Sequence, residues 1–211
     1  LNFYLSPGAW LPVLAQVYEE DAAFGRRNIG HGARVQVEFV SANPTGPLHV
    51  GHGRGAAVGD AVASLLSACG YDVQREYYIN DSGRQIRTLG KSVYLRLLQR
   101  WGQSVEFPED AYQGRYIVEL AEEIKATRGE EIQALGEDEA IAECARYAAD
   151  RILTGIREDL SAFGVGFDRW YSEQSLYDTG RVKAAIENLR RAGRVYEKDG
   201  ALWFKSSAFG D

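Results

Sequence analysis

Hydrophobic positions follow two periodicities along this chain, and these predict its secondary structure. Apolar residues three or four apart predict helices, whereas a period of two or a short β-branched run predicts a strand. Helices are predicted at Ala9–Phe24, Gly51–Ala68, Gly83–Trp101, Tyr116–Thr127, Glu137–Phe163 and Asp178–Ala192. Strands are predicted at Asn2–Leu5, Arg34–Val40, Val73–Ile79 and Phe167–Tyr171. A hairpin is predicted to pair Val195–Tyr196 with Ala201–Phe204 across Asp199-Gly200.

The order of these elements predicts an α/β fold. Strand, helix, strand and helix follow one another over residues 34–101, at the spacing of a βαβ unit with parallel strands. Gly70 and Gly193 stand within two residues of the ends of predicted helices, where a left-handed residue commonly ends a helix. In sheets of this kind, ligands bind beside the carboxyl ends of the strands. The loop after Val40 is therefore the first place to look for chemistry.

Composition indicates an ordinary globular chain. The 211 residues are 45% hydrophobic and 26% charged, which suits one large domain or a core with an insertion and excludes disordered or collagen-like chains. No apolar run reaches the roughly 18 residues of a membrane span. The first residues lack the basic region of a signal peptide. The two cysteines, Cys69 and Cys144, favour reduced thiols in a cytoplasmic protein.

The net charge of −6 is unevenly distributed. Residues 101–150 contain 13 acidic and 4 basic side chains, a net charge of −9, whereas the remainder contains 17 acidic and 20 basic side chains, a net charge of +3. We therefore expect an acidic helical insertion at about residues 103–165. Because negative charge repels phosphate, we expect it to lie outside the active site. The mildly basic remainder neither excludes nor supports contact with nucleic acid.

One loop combines glycine, proline and histidine in a pattern that points to phosphate chemistry. It runs from Ser41 to Ala56 and contains His49 and His52 at the predicted start of a helix. Glycines allow the backbone to approach a ligand, and free N–H groups at a helix N-terminus attract anions. Two imidazoles there add donors for phosphate oxygens. A glycine-rich turn with exposed histidines is the alternative, and the strand–loop–helix context favours the phosphate interpretation.

Three other motifs fit this loop less well. Gly46 and Gly51 have the spacing of a P-loop, but His52 stands where that motif requires lysine. A loose dinucleotide fingerprint begins at Gly51, yet ten residues separate it from Val40, whereas that fingerprint follows its strand directly. A zinc site needs more ligands than two histidines, and the two cysteines are not closely spaced. The residues therefore predict no dedicated metal site.

The tetrapeptide His49-Val50-Gly51-His52 resembles the HIGH signature of class I aminoacyl-tRNA synthetases. Its surroundings are more specific, because four further segments resemble bacterial arginyl-tRNA synthetases. These segments are Val37–Leu48, Gly53–Asp60, Tyr77–Ile86 and Asp199–Phe204. The resemblance implies that residues 33–211 form part of a Rossmann-like class I catalytic core with a parallel sheet. It implies that residues 1–32 are a linker and the tail of an N-terminal domain that contacts tRNA.

The resemblance further implies ATP-dependent activation of L-arginine to arginyl-adenylate and transfer of the arginyl group to the arginine tRNA. It assigns the catalytic role to His49 and His52. The positions that it assigns to ATP, which carries its own Mg²⁺, are His49, Gly51, His52 and Gly53. The signature region comprises Ala42, Asn43, Pro44, Thr45, Gly46, Pro47, Leu48, His49, Val50, Gly51 and His52. The family also implies a cytoplasmic monomer without membrane association.

The arginine-binding positions of the family fall on the same segment. They match Glu38, Ser41, Asn43 and His49. Glu38 suits the guanidinium group, because a carboxylate accepts its N–H donors bidentately. Ser41 and Asn43 suit the α-amino end of the substrate.

The chain departs from the family pattern at its lysines. The second class I signature, Lys-x-Ser-Lys, is absent from the sequence, since Lys205-Ser206-Ser207 lacks the second lysine. Some arginyl enzymes carry the lysine just before the proline that precedes the HIGH signature, where Gly46 stands here. We therefore expect this lysine and the anticodon-binding domain beyond Asp211. We expect the 211 residues alone to be inactive in aminoacylation.

Two other functions stay open at this point. A stand-alone adenylyltransferase with a His-x-Gly-His motif would be a short complete domain, whereas both ends of this chain look cut and the sequence contains no methionine. A non-catalytic paralogue that binds tRNA or nucleotide is disfavoured by the intact His49, His52 and Glu38. The sequence downstream of residue 211 would distinguish these possibilities.

Overall fold

The computed structural model describes residues 2–210 and has the α/β architecture that the sequence predicts. Its helices are α1 (Leu11–Glu20), α2 (Val50–Ala68), α3 (Arg84–Arg100), α4 (Arg115–Gln133), α5 (Glu137–Ala162), α6 (Gln174–Asp178) and α7 (Arg181–Arg191). Its strands are β1 (Arg34–Glu38), β2 (Asp72–Ile79), β3 (Arg169–Ser172), β4 (Val195–Lys198) and β5 (Ala201–Phe204). Helix α2 connects β1 to β2, which confirms the βαβ unit.

The first three strands form a parallel sheet in the order β1–β2–β3. Strand β1 pairs with β2 along its whole length, and the carboxyl-terminal half of β2 pairs with β3. Arg75 ties the sheet to α2, because its side chain bonds Asp60 at 3.3 Å and Ser64 at 3.0 Å. Since the strands are parallel, their carboxyl ends meet at one edge. The loops after Glu38, Ile79 and Ser172 leave the sheet there.

Strand β1 ends two residues earlier than predicted. Val40 and Ser41 have φ angles of 64° and 41°, in the left-handed region that a β-branched valine rarely occupies. The preceding Phe39 is buried and stacks on Phe167, with ring centroids 4.5 Å apart. It also lies against Gly59 of α2, where a Cβ would come within 2.2 Å of the phenyl ring. The chain therefore turns away from the sheet directly after a residue that is fixed in the core.

One hydrophobic core joins the sheet to the helices of the acidic insertion at residues 103–165, which we call the acidic block. Its members include Phe39, Tyr77, Ile79, Leu89, Val93, Leu97, Ile117, Ile124, Ile132, Cys144 and Ile156. Helix α3 packs closely on α5 at Gly90, where a Cβ would lie 2.3 Å from the carbonyl oxygen of Ile141. Acidic side chains of the block pair with arginines, as in Glu122–Arg100 at 2.6 Å. The block follows α3 in sequence, but its helices complete the same core as the sheet.

The helix predictions need two corrections. The helix predicted at Asp178–Ala192 is α7, which begins only at Arg181; it is preceded by the short helix α6, which was not predicted, and Gly180 between the two helices has a left-handed φ of 69°. Helix α4 continues to Gln133 rather than ending at Thr127, with non-helical backbone angles at Arg128 (φ −139°, ψ 16°). The periodicity therefore located the long helices, but it missed the short helix α6 and the irregular backbone at Arg128 and Gly180.

The strand predictions at the two ends of the chain have opposite outcomes. Residues 2–5, predicted as a strand, form no regular element, and within the described part of the chain no strand pairs with them. The hairpin of β4 and β5 is confirmed, with Asp199 and Gly200 at positive φ angles of 53° and 75°. Helix α1 contributes no buried residue, and the domain boundary at residue 32 stays a prediction. Among residues 2–210, no helix is long and apolar enough to span a membrane.

Candidate active site

The two histidines of the loop lie in the first turn of α2. His49 is the N-cap residue, with an extended backbone, and His52 is the third residue of the helix. The N–H of Gly51 donates to Nδ1 of His49 at 3.2 Å, and the N–H of His49 donates to Nδ1 of His52 at 3.2 Å. The imidazole rings stack with centroids 3.7 Å apart. These reciprocal bonds form a capping box that fixes both rings at the start of the helix.

This hydrogen-bond pattern assigns the tautomer of both histidines. A ring nitrogen that accepts an N–H bond carries no proton, so the proton of each neutral imidazole lies on Nε2. Burial, together with the neighbouring His49, lowers the pKa of His52 below its ordinary value of 6.5. His52 is therefore neutral at pH 7. The pair offers two Nε2–H donors that can bond to phosphate oxygens.

The structure corrects the expectation of free backbone donors at this helix start. Gly51 donates its N–H to the His49 ring, and the N–H groups of His52 and Gly53 both donate to the carbonyl oxygen of His49, at 2.9 and 3.2 Å. Three amides of the first turn are thus engaged within the cap. These three N–H groups are therefore not free to bind an anion, in contrast to the imidazole Nε2–H groups.

We expect His52 to titrate with a midpoint below 6.5 in an NMR titration of its ring Cε1–H. Its folded pKa is lower than its unfolded value, so the unfolded chain binds the proton first as the pH falls. The stability linked to this group is therefore present above about pH 6.5 and declines as the pH falls below it. In a His49→Ala variant one cause of the shift is removed, so the midpoint should rise. A midpoint above 6.5 in the unaltered protein would contradict the observed ring environment.

The predicted arginine-binding residues occupy the segment that leaves β1. Glu38, the last residue of β1, is exposed, so its carboxylate is available to a ligand. The Oγ of Ser41 accepts the N–H of Tyr78 at 3.0 Å, and Nδ2 of Asn43 donates to Oε1 of Gln85 at 2.6 Å. Among the described residues, no hydrogen bond joins these three side chains to the histidine pair. They share its edge of the sheet and stay predictions as ligand contacts.

The remaining signature residues have distinct structural roles. Gly51 leaves room for the His49 ring, because a Cβ there would lie 3.0 Å from Cε1 of that ring. Gly53 faces open space, which leaves its surface accessible to a ligand. The buried residues of the region are Ala42 and Pro44, and the exposed ones are Pro47, His49, Val50 and Gly51. Leu48 is partly buried and packs against the core.

Two tyrosine hydroxyls that the sequence analysis did not identify bond to the loop. The hydroxyl of Tyr77 in β2 donates to the carbonyl oxygen of Ala42 at 2.9 Å. The hydroxyl of Tyr116 in α4 donates to the carbonyl oxygen of Thr45 at 2.7 Å. The acidic block therefore reaches the signature loop at Tyr116, and its place outside the active site stays a prediction. No local sequence signal could find this contact, because its partners are 71 residues apart.

A cavity lies beside the signature loop, at the carboxyl edge of the sheet. It has a volume of about 620 Å³, and it reaches the loop at Pro44. Side chains from the loop after β2, from α3 and α5, and from the start of α6 line it, among them Asp81, Arg87, Arg146 and Gln174. Asp81 accepts bonds from the Ser172 hydroxyl at 2.5 Å and from the Gln174 N–H at 2.9 Å. Asp81 therefore joins the ends of β2 and β3.

No cluster of metal ligands accompanies these features. Within residues 2–210, no three His, Cys, Asp or Glu side chains are arranged so that they could hold a metal ion. Cys144 is buried in the core, and this burial raises the pKa of its thiol to about 12, so it stays protonated. The chemical groups that the loop offers are imidazole donors, one exposed carboxylate and polar side chains.

Comparisons with known proteins find similarity along nearly the whole chain. Residues 14–211 match the family model described as tRNA synthetases class I (R), catalytic domain. The whole chain is 56% identical to proteins named arginine–tRNA ligase from Desulfosudis oleivorans and Syntrophotalea carbinolica, and it spans 38% of the length of each. A crystal structure described as an arginyl-tRNA synthetase from Campylobacter jejuni is similar with a TM-score of 0.83 and 37% identity. That alignment covers 98% of this chain and 45% of the Campylobacter chain.

Proposed function

The chain belongs to the family of class I arginyl-tRNA synthetase catalytic domains, and on that premise we propose that it carries the HIGH-signature part of an arginine–tRNA ligase active site. In the proposed reaction, a carboxylate oxygen of L-arginine attacks the α-phosphorus of ATP. The bond from that phosphorus to the bridging oxygen breaks, and pyrophosphate leaves with its electron pair. The 3′ end of the arginine tRNA then receives the arginyl group, and AMP leaves.

The capped histidine pair is the observation that carries this proposal. During adenylate formation, negative charge grows on the phosphate oxygens and on the leaving pyrophosphate. The Nε2–H groups of His49 and His52 are held by backbone bonds before substrate binds, so donors are in place as the charge develops. Because both rings already have a proton on Nε2, they act as hydrogen-bond donors without first taking up a proton. In this proposal Mg²⁺ enters with ATP, and no protein ligand for it is assigned.

Glu38, Ser41 and Asn43 are proposed to hold the arginine. The exposed carboxylate of Glu38 is suited to accept the forked N–H donors of a guanidinium group. Ser41 and Asn43 lie three and five residues further along the chain, and their existing bonds to Tyr78 and Gln85 orient both side chains. A hydroxyl and an amide retain further hydrogen-bonding capacity, which suits the α-amino end of the substrate.

Arginine-dependent exchange of pyrophosphate into ATP tests the proposal. The full-length protein is assayed with and without bulk tRNA, because the transfer partner could be needed to complete the site. We expect exchange with arginine and at most background with lysine or citrulline. Charging of tRNA by labelled arginine should follow. Exchange that no amino acid stimulates, or adenylyl transfer to a different acceptor without charging, would favour a stand-alone adenylyltransferase and contradict the proposal.

A further inference from the structure

The signature loop begins with a strained turn. Val40 and Ser41 are consecutive non-glycine residues with positive φ, and one of them is β-branched. Such conformations persist where the surrounding structure holds the chain in place. On the strand side, the buried Phe39 holds it in the core. A second set of contacts must therefore hold the loop on the side that leads to the histidines.

Three hydrogen bonds from other elements supply this support. Ser41 accepts the N–H of Tyr78, at 3.0 Å. The carbonyl of Ala42 accepts the Tyr77 hydroxyl, at 2.9 Å. The carbonyl of Thr45 accepts the Tyr116 hydroxyl, at 2.7 Å, only four residues before His49. The bonds come from β2 and from α4, so the loop is held between the sheet and the acidic block.

The Tyr77 ring that donates to Ala42 is fixed in its place. It is fully buried, with the Trp170 ring stacked on it at 4.3 Å and the edge of Phe167 at 5.4 Å. The guanidinium of Arg157 lies over the Trp170 ring in turn, 4.5 Å from the ring centroid. Burial raises the pKa of Tyr77 to about 12, so its hydroxyl keeps the proton that it donates.

The Tyr116 ring lies close to the backbone at two glycines. A Cβ on Gly46 would lie 3.3 Å from the Tyr116 hydroxyl oxygen, and a Cβ on Gly114 would lie 2.3 Å from its ring. Both glycines therefore permit the ring to approach the loop. Leu120, one turn further along α4, is buried in the core, so the helix that carries Tyr116 is itself fixed.

We propose that Tyr116 and Tyr77 are positioning residues, which hold the signature loop so that the histidine pair meets the reacting phosphates. The acidic block is then part of the catalytic framework. The expected effect of these tyrosines on the reaction rate rests on the proposed function, whereas their support of the loop does not depend on it. Displacement of reacting groups by about 1 Å can cost about 100-fold in rate. Loss of one hydroxyl should therefore affect turnover more than substrate affinity.

The kinetic test compares Tyr116→Phe with Tyr147→Phe in the full-length protein. Both changes remove one hydroxyl from the acidic block, but Tyr147 donates to Glu123 at 3.2 Å rather than to the loop. In arginine-dependent exchange we expect Tyr116→Phe to lower kcat about 10- to 100-fold, with each KM changed less than about threefold. Tyr147→Phe should leave both near the unaltered values. Equal losses in the two variants, or a loss confined to KM, would overturn the positioning role.

A second measurement tests the support of the loop without reference to activity. Hydrogen–deuterium exchange of the peptide that spans residues 41–48 should be faster in Tyr116→Phe and in Tyr77→Phe than in Tyr147→Phe. Thermal denaturation of each variant separates local loosening from general destabilisation. If the unaltered protein shows no arginine-dependent pyrophosphate exchange, but residues 41–48 still take up deuterium faster in the two test variants, the proposed function fails and the support of the loop by the tyrosines stands. Unchanged deuterium uptake in both test variants would overturn the support itself.

Discussion

In the full-length protein, His52→Ala is expected to slow arginyl-adenylate formation by about 10²–10³-fold and to leave arginine affinity nearly unchanged. Loss of a single preorganised donor to transition-state charge commonly has this size. His52 is suited to such a role, because its Nδ1 is occupied by the N–H of His49 and its Nε2–H remains available. The rate of the first turnover, measured by rapid quench with ATP and arginine, gives the effect on the chemical step directly.

A His52→Gln variant separates the donor from the helix cap. Glutamine at the third helical position can accept the N–H of the N-cap residue, as in common capping boxes. We therefore expect His52→Gln to regain the thermal stability that His52→Ala loses. Its rate of adenylate formation should stay well below that of the unaltered protein, because the amide does not reproduce the position of Nε2. His31→Asn is the matched control, since His31 lies in an exposed loop with φ 48°, a conformation that asparagine tolerates. A full rate in His52→Gln, or a defect limited to arginine binding, would show that the role of His52 has been assigned wrongly.

The sequence predicts the sheet and its helices because their signals are local. The alternation of apolar and polar residues in β1, the spacing of apolar residues three or four positions apart in α5, and the Asp199-Gly200 turn each depend on neighbouring residues. The turn at Val40 is different. A β-branched residue favours extended backbone, and only the fixed Phe39 ring and the bonds to the loop impose the left-handed conformation. Tertiary contacts overrule the local preference at the point where the candidate site begins.

The part of the candidate site that lies in one continuous segment could be predicted from the sequence. The letters around His49 and His52 identify the loop, but imidazole is not among the usual N-cap side chains, so the reciprocal ring bonds could not be foreseen. The charge of residues 101–150 gave no information about the inner side of the block. Tyr116 belongs to that inner side, and a bond across 71 residues leaves no pattern in the chain.

Glu38→Gln is expected to raise the KM for arginine by about 10- to 150-fold and to leave the KM for ATP nearly unchanged. A charge-assisted hydrogen bond contributes about 1.5–3 kcal/mol, and the variant loses the charge while it keeps the size of the side chain. Glu38 ends β1 and directly precedes the loop that carries the histidines, so an arginine bound to it in the proposed site would have its carboxylate near the α-phosphorus of ATP. Its exposure means that the carboxylate is solvated before arginine binds, so no buried charge is left unpaired in the free protein.

The neutral analogue citrulline distinguishes charge recognition from a general loss of the site. If Glu38 reads the guanidinium charge, citrulline should compete better relative to arginine in Glu38→Gln than in the unaltered protein, because the amide no longer favours a cation. Glu106→Gln, at an exposed glutamate in the segment between α3 and α4, is the control and should change neither KM. Equal increases in the KM for arginine and for ATP would make Glu38 a scaffold residue. The specificity for arginine would then have to come from other side chains of the pocket.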